Sequence, residues 1–385
     1  MRRRRVILLG ATGSIGQSAI KVAEAFPDQM TVVGMAAWRS ADGLASAANR
    51  LRPEQLCLVD SNRVPELRRG LCYEPEILSG AEGLETLVRT SSADMVLVAI
   101  IGTAGLHPAL AAIETGKDLA IASKEILVMA GEIVMQRAIG AGIQVLPVDS
   151  EHNAIFQCLD GKPATQIRKL ILTASGGPFR TWPKEDLEKV RPEQALKHPT
   201  WNMGQKITID SATLFNKGLE MIEARWLFGV EMPKVEVVVH PQSIVHSLVE
   251  FVDGSILAQL SHSDMCFPIQ YAVTWPDRWP NQLRPLRLAE LGHLDFEEPR
   301  YEDFPALRLA RQAGETGGVA PAVLNAANEI AVEAFLKGEI RFPQIWQTVD
   351  AALSSAEHFA HPSLDDILRA DRLARQHARR ALSLN

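Results

Sequence analysis

Asp149, Ser150, Glu151 and His152 follow the apolar run Ile143–Val148 directly. A chain that ends a buried strand on two carboxylates, a hydroxyl and an imidazole sets reactive groups at the strand's end. In an extended segment Asp149 and Glu151 share one face, because side chains alternate with period two. Two converging carboxylates repel unless a cation or a proton lies between them. Their oxygens suit magnesium or manganese rather than zinc, and no His/Cys constellation competes for that role. An isolated pair of this kind reads as a solvated acidic turn, and a third acid would change that reading.

The segment "DSATLFNKGLEMIEARWLF" offers the third acid. If 213–227 is helical, Asn216 and Glu220 are four apart and Lys217 and Glu220 three apart, so all three share a face. Leu219, Ile222, Trp226 and Leu227 line the other side. The bland alternative is a solvent-facing ion pair between Lys217 and Glu220. Against it stands the polar start "TIDSAT", which puts Ser211 at or near a helix N-cap, a place that favours anions. In "ILTASGGPF" an apolar strand runs into Ser175-Gly176-Gly177, either a plain turn or a second anion site made of a hydroxyl and backbone N–H groups. "KHPTWNMGQK", with His198, Trp201 and Gly204, has no regular period and reads as a closing flap or as a loop packed by its tryptophan. Lys124 and Glu125 end another strand, where a lysine can neutralise a developing alkoxide or orient a substrate.

These groups need a scaffold, and the first 150 residues supply one. Likeness to βαβ units comes from short apolar runs, 5–9, 31–36, 95–100, 119–122 and 144–148, alternating with helical patterns at 18–25, 108–115 and 127–139. "RRVILLGATGSIGQSAIKVAEAF" joins the first strand to a helix through Gly10, Gly13 and Gly16. Glycines there allow a tight turn and close approach of backbone to a pyrophosphate, with the helix N-terminus facing the anion. The alternative is a glycine-rich turn that binds nothing. About 20 residues on, a NAD enzyme carries an acid. Here the second strand ends in Ala37-Trp38-Arg39-Ser40, which favours NADP: Arg39 can meet a 2′-phosphate and Trp38 can lie against adenine. Asp42 is close enough to weigh against it.

The remaining chain divides further. Residues 169–173, 235–239, 244–251 and 255–260 read as strands, the last two joined by Asp253-Gly254, and one helix spans 212–228. The expected domains are 1–149 for the dinucleotide, 150–274 for catalysis, a Pro/Trp-rich linker at 275–300 and helices at 301–385. The last are read as core packing, although "LNAANEIAVEAFL" can also shape a site. The net charge of −6 and the lack of a basic stripe exclude nucleic acid as an expected partner. Four separated cysteines and no CxxC pair predict reduced thiols in the cytoplasm. No stretch approaches the ~20 apolar residues of a membrane span, and Val6–Leu9 is too short for a signal peptide.

In order along the chain, "GATGSIG", "ASKE", "PVDSEHNAIFQ", "TASGGPF", "HPTWNMGQKITIDSATLFNKGLEMIEA" and "HPQSIVHSLVEFVDGS" closely resemble the 1-deoxy-D-xylulose 5-phosphate reductoisomerase family over nearly the whole length. The resemblance implies a homodimer with an NADPH-binding Rossmann-like domain, a second α/β catalytic domain with a flexible loop, and a C-terminal helical bundle. It implies rearrangement of 1-deoxy-D-xylulose 5-phosphate, as a retro-aldol/aldol pair, and reduction to 2-C-methyl-D-erythritol 4-phosphate. Carried over by position, Asp149, Glu151 and Glu220 are metal ligands, and Lys124, Ser150 and Glu151 meet the substrate backbone. Ser175, Ser211, Asn216 and Lys217 hold its phosphate, while His198 and Trp201 close over it. Gly10, Thr12, Gly13, Ser14, Ile15, Gly16, Ser123, Glu125 and Gly204 line the NADPH site with the segment 37–40. Ser123 stands where many relatives have asparagine, and Ala37-Trp38-Arg39 replaces the usual glycine, basic residue and asparagine. Two rivals remain: a dehydrogenase acting without rearrangement, and a silent NADP-binding regulator.

Overall fold

The structure, a computed structural model, describes residues 3–201, 203–357 and 359–383. The chain forms two compact units. The first comprises Met1–Ile126, Val134–Asn153 and Asp264–Arg284; the second comprises Leu127–Ile133, Ala154–Ser263 and Pro285–Asn385.

The first unit is built on a seven-stranded, wholly parallel sheet: β1 (Arg4–Leu9), β2 (Met30–Ala37), β3 (Gln55–Leu58), β4 (Glu76–Ser79), β5 (Met95–Val98), β6 (Asp118–Ile121) and β7 (Val145–Pro147). Their order is β4-β3-β2-β1-β5-β6-β7. Val6–Leu9 and Met95–Val98 are all fully buried, the continuous apolar runs that a sheet covered on both faces requires. Chain order reverses between β1 and β5, so the turn after β1 opens at the switch point where such sheets bind ligands. The strands β3 and β4 were not anticipated. Each is four residues long, and the edge strand Glu76–Ser79 buries no residue fully, so it lacks an apolar run to betray it.

Asp264–Arg284 belongs to this unit as well, so the stretch expected as a linker at 275–300 is divided between the two units. The first part of 264–284 is a helix, Cys266–Thr274. Arg4 donates to the Trp275 carbonyl at 3.0 Å, and the Trp279 ring lies 5.5 Å from that of Phe26. Trp279 is thus a packing anchor and Trp275 is tied through its backbone, each to a partner far back in the chain.

The second unit contains β8 (Ile167–Ala174), β9 (Val235–Val239), β10 (Val245–Phe251) and β11 (Ile256–Leu260), ordered β11-β10-β8-β9. Here β10 is antiparallel to both neighbours, while β8 and β9 are parallel. The alternating burial of β9 marks a sheet with one face on the core. The helix expected at 212–228 is two helices, Gln205–Thr213 and Phe215–Phe228, broken at Leu214 by a left-handed backbone with φ 66°. Within this unit Gly131 faces Trp226 so closely that a Cβ would lie 2.2 Å from the indole, which only glycine permits.

The C-terminal part is helical: Ala306–Thr316, Ala320–Leu336, Gln344–Ser354 and Leu364–Ala381. Arg375 in the last of these grips Asp371 with two hydrogen bonds of 2.9 and 3.1 Å and reaches Glu329 at 2.6 Å. Ala320–Leu336 is buried on nearly every side, as its alanines allow. The architecture is therefore a Rossmann-like unit, a second α/β sheet and a helical C-terminal part.

Candidate active site

The turn after β1 is shaped by steric necessity. Gly10 has φ 93°, and a Cβ on it would lie 2.4 Å from the Ala99 carbonyl oxygen. One on Gly16 would lie 2.3 Å from the Gly10 oxygen. Gly10 and Ala11 donate to the Ala36 carbonyl at 3.0 and 2.8 Å, tying the turn to β2. The helix Ser14–Ala25 starts from Gly13 with no side chain capping it, so Thr12, Gly13, Ser14 and Ile15 present backbone and N-terminal dipole to an anion. This cradle fits a dinucleotide pyrophosphate. Beyond β2, Ala37 is buried, whereas Trp38 is 52% exposed. Ser40 and Thr12 both crowd the space beside Gly43, so the end of β2 reaches the glycine turn.

After β6 come Ser123, Lys124 and Glu125, all buried. The Ser123 hydroxyl is spent on the carbonyls of Val98 and Ile100. Lys124 precedes the helix Glu125–Ala141, and its Nζ lies 2.7 Å from Asp149 Oδ2. The period-two argument for Asp149 and Glu151 is corrected by the structure. The strand stops at Pro147, and the helix Ser150–Leu159 begins at once. Asn153 N–H donates to the Asp149 carbonyl at 2.8 Å, and the Glu151 N–H to Asp149 Oδ1 at 3.2 Å. Asp149 is thus an N-cap and Glu151 a first-turn residue; the two acids meet because a helix starts, where its dipole favours them. Ser150 Oγ donates to Glu151 Oε2 at 2.5 Å. Lys124, Asp149, Ser150 and Glu151 therefore form one connected group.

In the second unit, Ser175 follows β8, and its Oγ accepts from Gly177 N–H at 3.2 Å. Gly177 lies against the backbone of Ser211 and Ala212, where a Cβ would come within 2.9 Å of the Ser211 carbonyl. Ser211 is not at an N-cap as expected. It lies near the C-terminal end of Gln205–Thr213, whose N-cap is the exposed Gly204, because the break at Leu214 ends this helix early. His198 joins the two serines: its Nε2 is 3.0 Å from Ser175 Oγ and 3.0 Å from Ser211 Oγ. Its Nδ1 accepts from the Thr200 and Trp201 N–H groups at 3.2 and 2.9 Å, so the ring hydrogen is on Nε2. Asn202, in the same loop, lies outside the described residues.

Burial pushes the His198 imidazole down to about 4, and the buried His246, 6.2 Å from the Trp201 ring, also to about 4. Both are neutral when folded at pH 7, and an unfolded histidine takes its proton near 6.5. Between those values the unfolded chain binds more protons, so stability rises with pH there and is lost as pH falls from about 6.5 towards 4. Urea unfolding from pH 7 down to 4.5 should show this decline. His198→Gln and His246→Gln should each flatten the pH dependence, and unchanged slopes in both would contradict it.

Phe215–Phe228 carries the expected face. Asn216 Nδ2 donates to Glu220 Oε1 at 2.6 Å, and Lys217 Nζ donates to Glu220 Oε2. Lys217 is 3% and Glu220 0% exposed, so this is no solvated surface pair. Residues not foreseen support these groups. Ser243, in a left-handed conformation with φ 51°, meets Thr200 of the loop, Oγ to Oγ1, at 3.2 Å. Asp210, next to Ser211, is 1% exposed and bound by Lys206 at 2.7 Å and by Asn328 at 2.8 Å. Asn328 sits in Ala320–Leu336, so the segment read as core packing also steadies the helix bearing Ser211. Only the asparagines in an alanine-rich helix could have hinted at this.

Comparison with known proteins identifies the arrangement. A model described as 1-deoxy-D-xylulose 5-phosphate reductoisomerase matches residues 6–131, and two models of a C-terminal domain of that enzyme match residues 145–228 and 260–377. The enzyme of that name from Pelotomaculum thermopropionicum is 50% identical over 97% of both chains. The chain belongs to the 1-deoxy-D-xylulose 5-phosphate reductoisomerase family. Among solved reductoisomerase structures, that from Zymomonas mobilis in complex with NADPH is 44% identical, covers 99% of each chain and superposes with a TM-score of 0.93. Another, in complex with NADPH, fosmidomycin and magnesium, is 40% identical, with a TM-score of 0.93 over 99% of this chain and 98% of that one.

Proposed function

We propose that this protein rearranges 1-deoxy-D-xylulose 5-phosphate and reduces the product to 2-C-methyl-D-erythritol 4-phosphate, with NADPH and a divalent cation, in non-mevalonate isoprenoid synthesis. The observation that carries this is membership of the reductoisomerase family over nearly the full length, with each group of reactive residues intact. Asp149, Glu151 and Glu220 are the ligands of magnesium or manganese; three carboxylates are the hard oxygen donors such an ion takes. When bound, the cation supplies Lewis-acid polarisation of substrate oxygens, and NADPH supplies hydride. Lys124 and Ser150 orient the sugar backbone. The phosphate is held by the hydroxyls of Ser175 and Ser211, the Nε2–H of neutral His198, the Asn216 amide and the Lys217 ammonium. His198 couples two tasks: its Nδ1 pins the start of the Trp201 loop, while its Nε2–H faces the phosphate subsite. Binding the phosphate therefore fixes the loop that excludes water from the reacting carbons. Gly10–Gly16, Ser123, Glu125, Gly204 and the segment 37–40 take the dinucleotide.

The working form is a homodimer. Val252, Ile256 and Leu257, at and beside the edge strand β11, are 63%, 52% and 46% exposed, and Phe296 and Tyr301 are 46% and 44% exposed. An open edge strand with apolar side chains favours a covering partner. Among the described residues no helix is long and apolar enough to cross a membrane. Four free cysteines favour the cytoplasm.

The test follows NADPH consumption with 1-deoxy-D-xylulose 5-phosphate, with magnesium or manganese present and again after chelation. Metal-dependent oxidation that yields the branched polyol phosphate is expected. Turnover indifferent to chelation would favour the dehydrogenase without rearrangement. Folded, NADPH-binding protein that turns over with neither metal would favour the silent regulator.

A further inference from the structure

The segment expected to read the 2′-phosphate of NADPH is Ala37-Trp38-Arg39-Ser40, and the structure supplies a residue that supports it. Arg39, just past β2, has a side chain 73% exposed and only a loose ion pair, its Nε 3.8 Å from Asp60 Oδ2. A long side chain so placed gains little from its direction alone and costs rotamer entropy to order on a ligand. What fixes the backbone beneath it comes from the neighbouring strand. Beyond β3, the short 3-10 turn Ser61–Arg63 runs alongside the end of β2. The Asp60 N–H donates to the Trp38 carbonyl at 2.8 Å, and Arg63 Nη1 donates to the Arg39 carbonyl at 2.7 Å. The other edge of the Arg63 fork is set by Glu66, which accepts from Nε at 2.9 Å and from Nη2 at 2.6 Å. These bonds engage three of the five N–H donors of a guanidinium.

We propose that Arg63 is a specificity-determining positioning residue for the adenosine 2′-phosphate: it clamps the Arg39 main chain and sets a second cation beside that subsite. This rests on the NADPH reading above. The local charges show why one arginine does not suffice. Asp60 lies near both Arg39 and Arg63, Asp42 lies near Arg63, and both oppose a phosphate dianion, while Glu66 neutralises much of Arg63. With Arg63 two guanidiniums stand against these three acids; without it Arg39 alone faces them, on a main chain that nothing clamps at its carbonyl. NADH has no 2′-phosphate and meets none of this. Its pyrophosphate rests on the glycine turn, which Arg63 does not touch.

Isothermal titration of the whole protein with NADPH and with NADH, for wild type, Arg63→Ala and Arg63→Lys, tests the inference without turnover. Arg63→Ala should weaken NADPH about tenfold, the scale of one charge-assisted contact, and leave NADH within twofold. Arg63→Lys keeps the charge but not the fork and should fall between. Equal weakening of both dinucleotides would mean that Arg63 merely maintains the loop, and unchanged NADPH affinity would mean that it does nothing for the phosphate; either overturns the inference. Wild-type protein that binds neither dinucleotide would instead sink the NADPH reading itself. Both arginine variants are at a half-exposed position, and thermal unfolding confirms that the titrated protein is folded.

Discussion

Asp149→Asn should lower turnover by roughly 10³-fold, the upper range for removing one preorganised electrostatic group, while NADPH binds as before. Asparagine is the informative change. Its side-chain oxygen can still accept from the Glu151 N–H, so the start of the helix Ser150–Leu159 keeps its cap. What disappears is the negative charge, which has two jobs. It is a proposed ligand of the cation, and it neutralises Lys124, whose Nζ stands 2.7 Å away and is buried. Alanine would remove the cap as well and mix a folding defect with the chemical one. The check combines kcat at saturating substrate with Mn2+ affinity from electron paramagnetic resonance. Loss of both is expected in protein that still folds, with an unfolding temperature somewhat below wild type because buried Lys124 loses its Asp149 counter-charge. A variant that keeps wild-type metal affinity would remove Asp149 from the ligand set.

That prediction depends on geometry the sequence conveyed in type but not in form. The acids at 149 and 151 are visible in any reading of the chain, yet the alternation argument put them together for the wrong reason. Whether an apolar run continues as strand or yields to a helix depends on a few residues at its end. Here Asp149 is a strong N-cap, and the turn is made by Pro147 to Ser150. By contrast the relation of Asn216, Lys217 and Glu220 followed directly from helical spacing, because three- and four-residue offsets stay on one face wherever the helix begins. Ser211 was misplaced because nothing in "SATLFNKG" announces that a leucine takes a left-handed conformation. Arg63 and Asn328 were invisible for a different reason. Their partners are Arg39 and Asp210, and only the order of strands or the packing of distant helices brings them together. The same holds for Trp275 and Trp279, whose composition suggested a linker until Arg4 and Phe26 were found beside them.

Lys217→Ala carries the other large effect, and its two consequences pull apart experimentally. In the folded protein Lys217 and Glu220 are a buried pair, with Asn216 on the second carboxylate oxygen. Breaking a buried pair by removing one member costs about 3 kcal/mol or more, since the remaining charge stays out of water. The apo variant should therefore unfold several degrees below wild type. If Glu220 is also a metal ligand, a divalent cation replaces the missing positive charge. Magnesium or manganese should then raise the unfolding temperature of Lys217→Ala more than that of wild type. Substrate binding should not recover in the same way. The proposed phosphate contact is a direct ammonium–oxyanion hydrogen bond, worth roughly 2 kcal/mol, so KM should rise some tenfold or more even at saturating metal. Calorimetry with and without metal, set beside KM, separates the roles. A variant whose unfolding temperature gains no more from metal than wild type would detach Glu220 from the cation. One whose KM is unchanged would remove Lys217 from the phosphate subsite, leaving it a buried counter-charge to Glu220 alone.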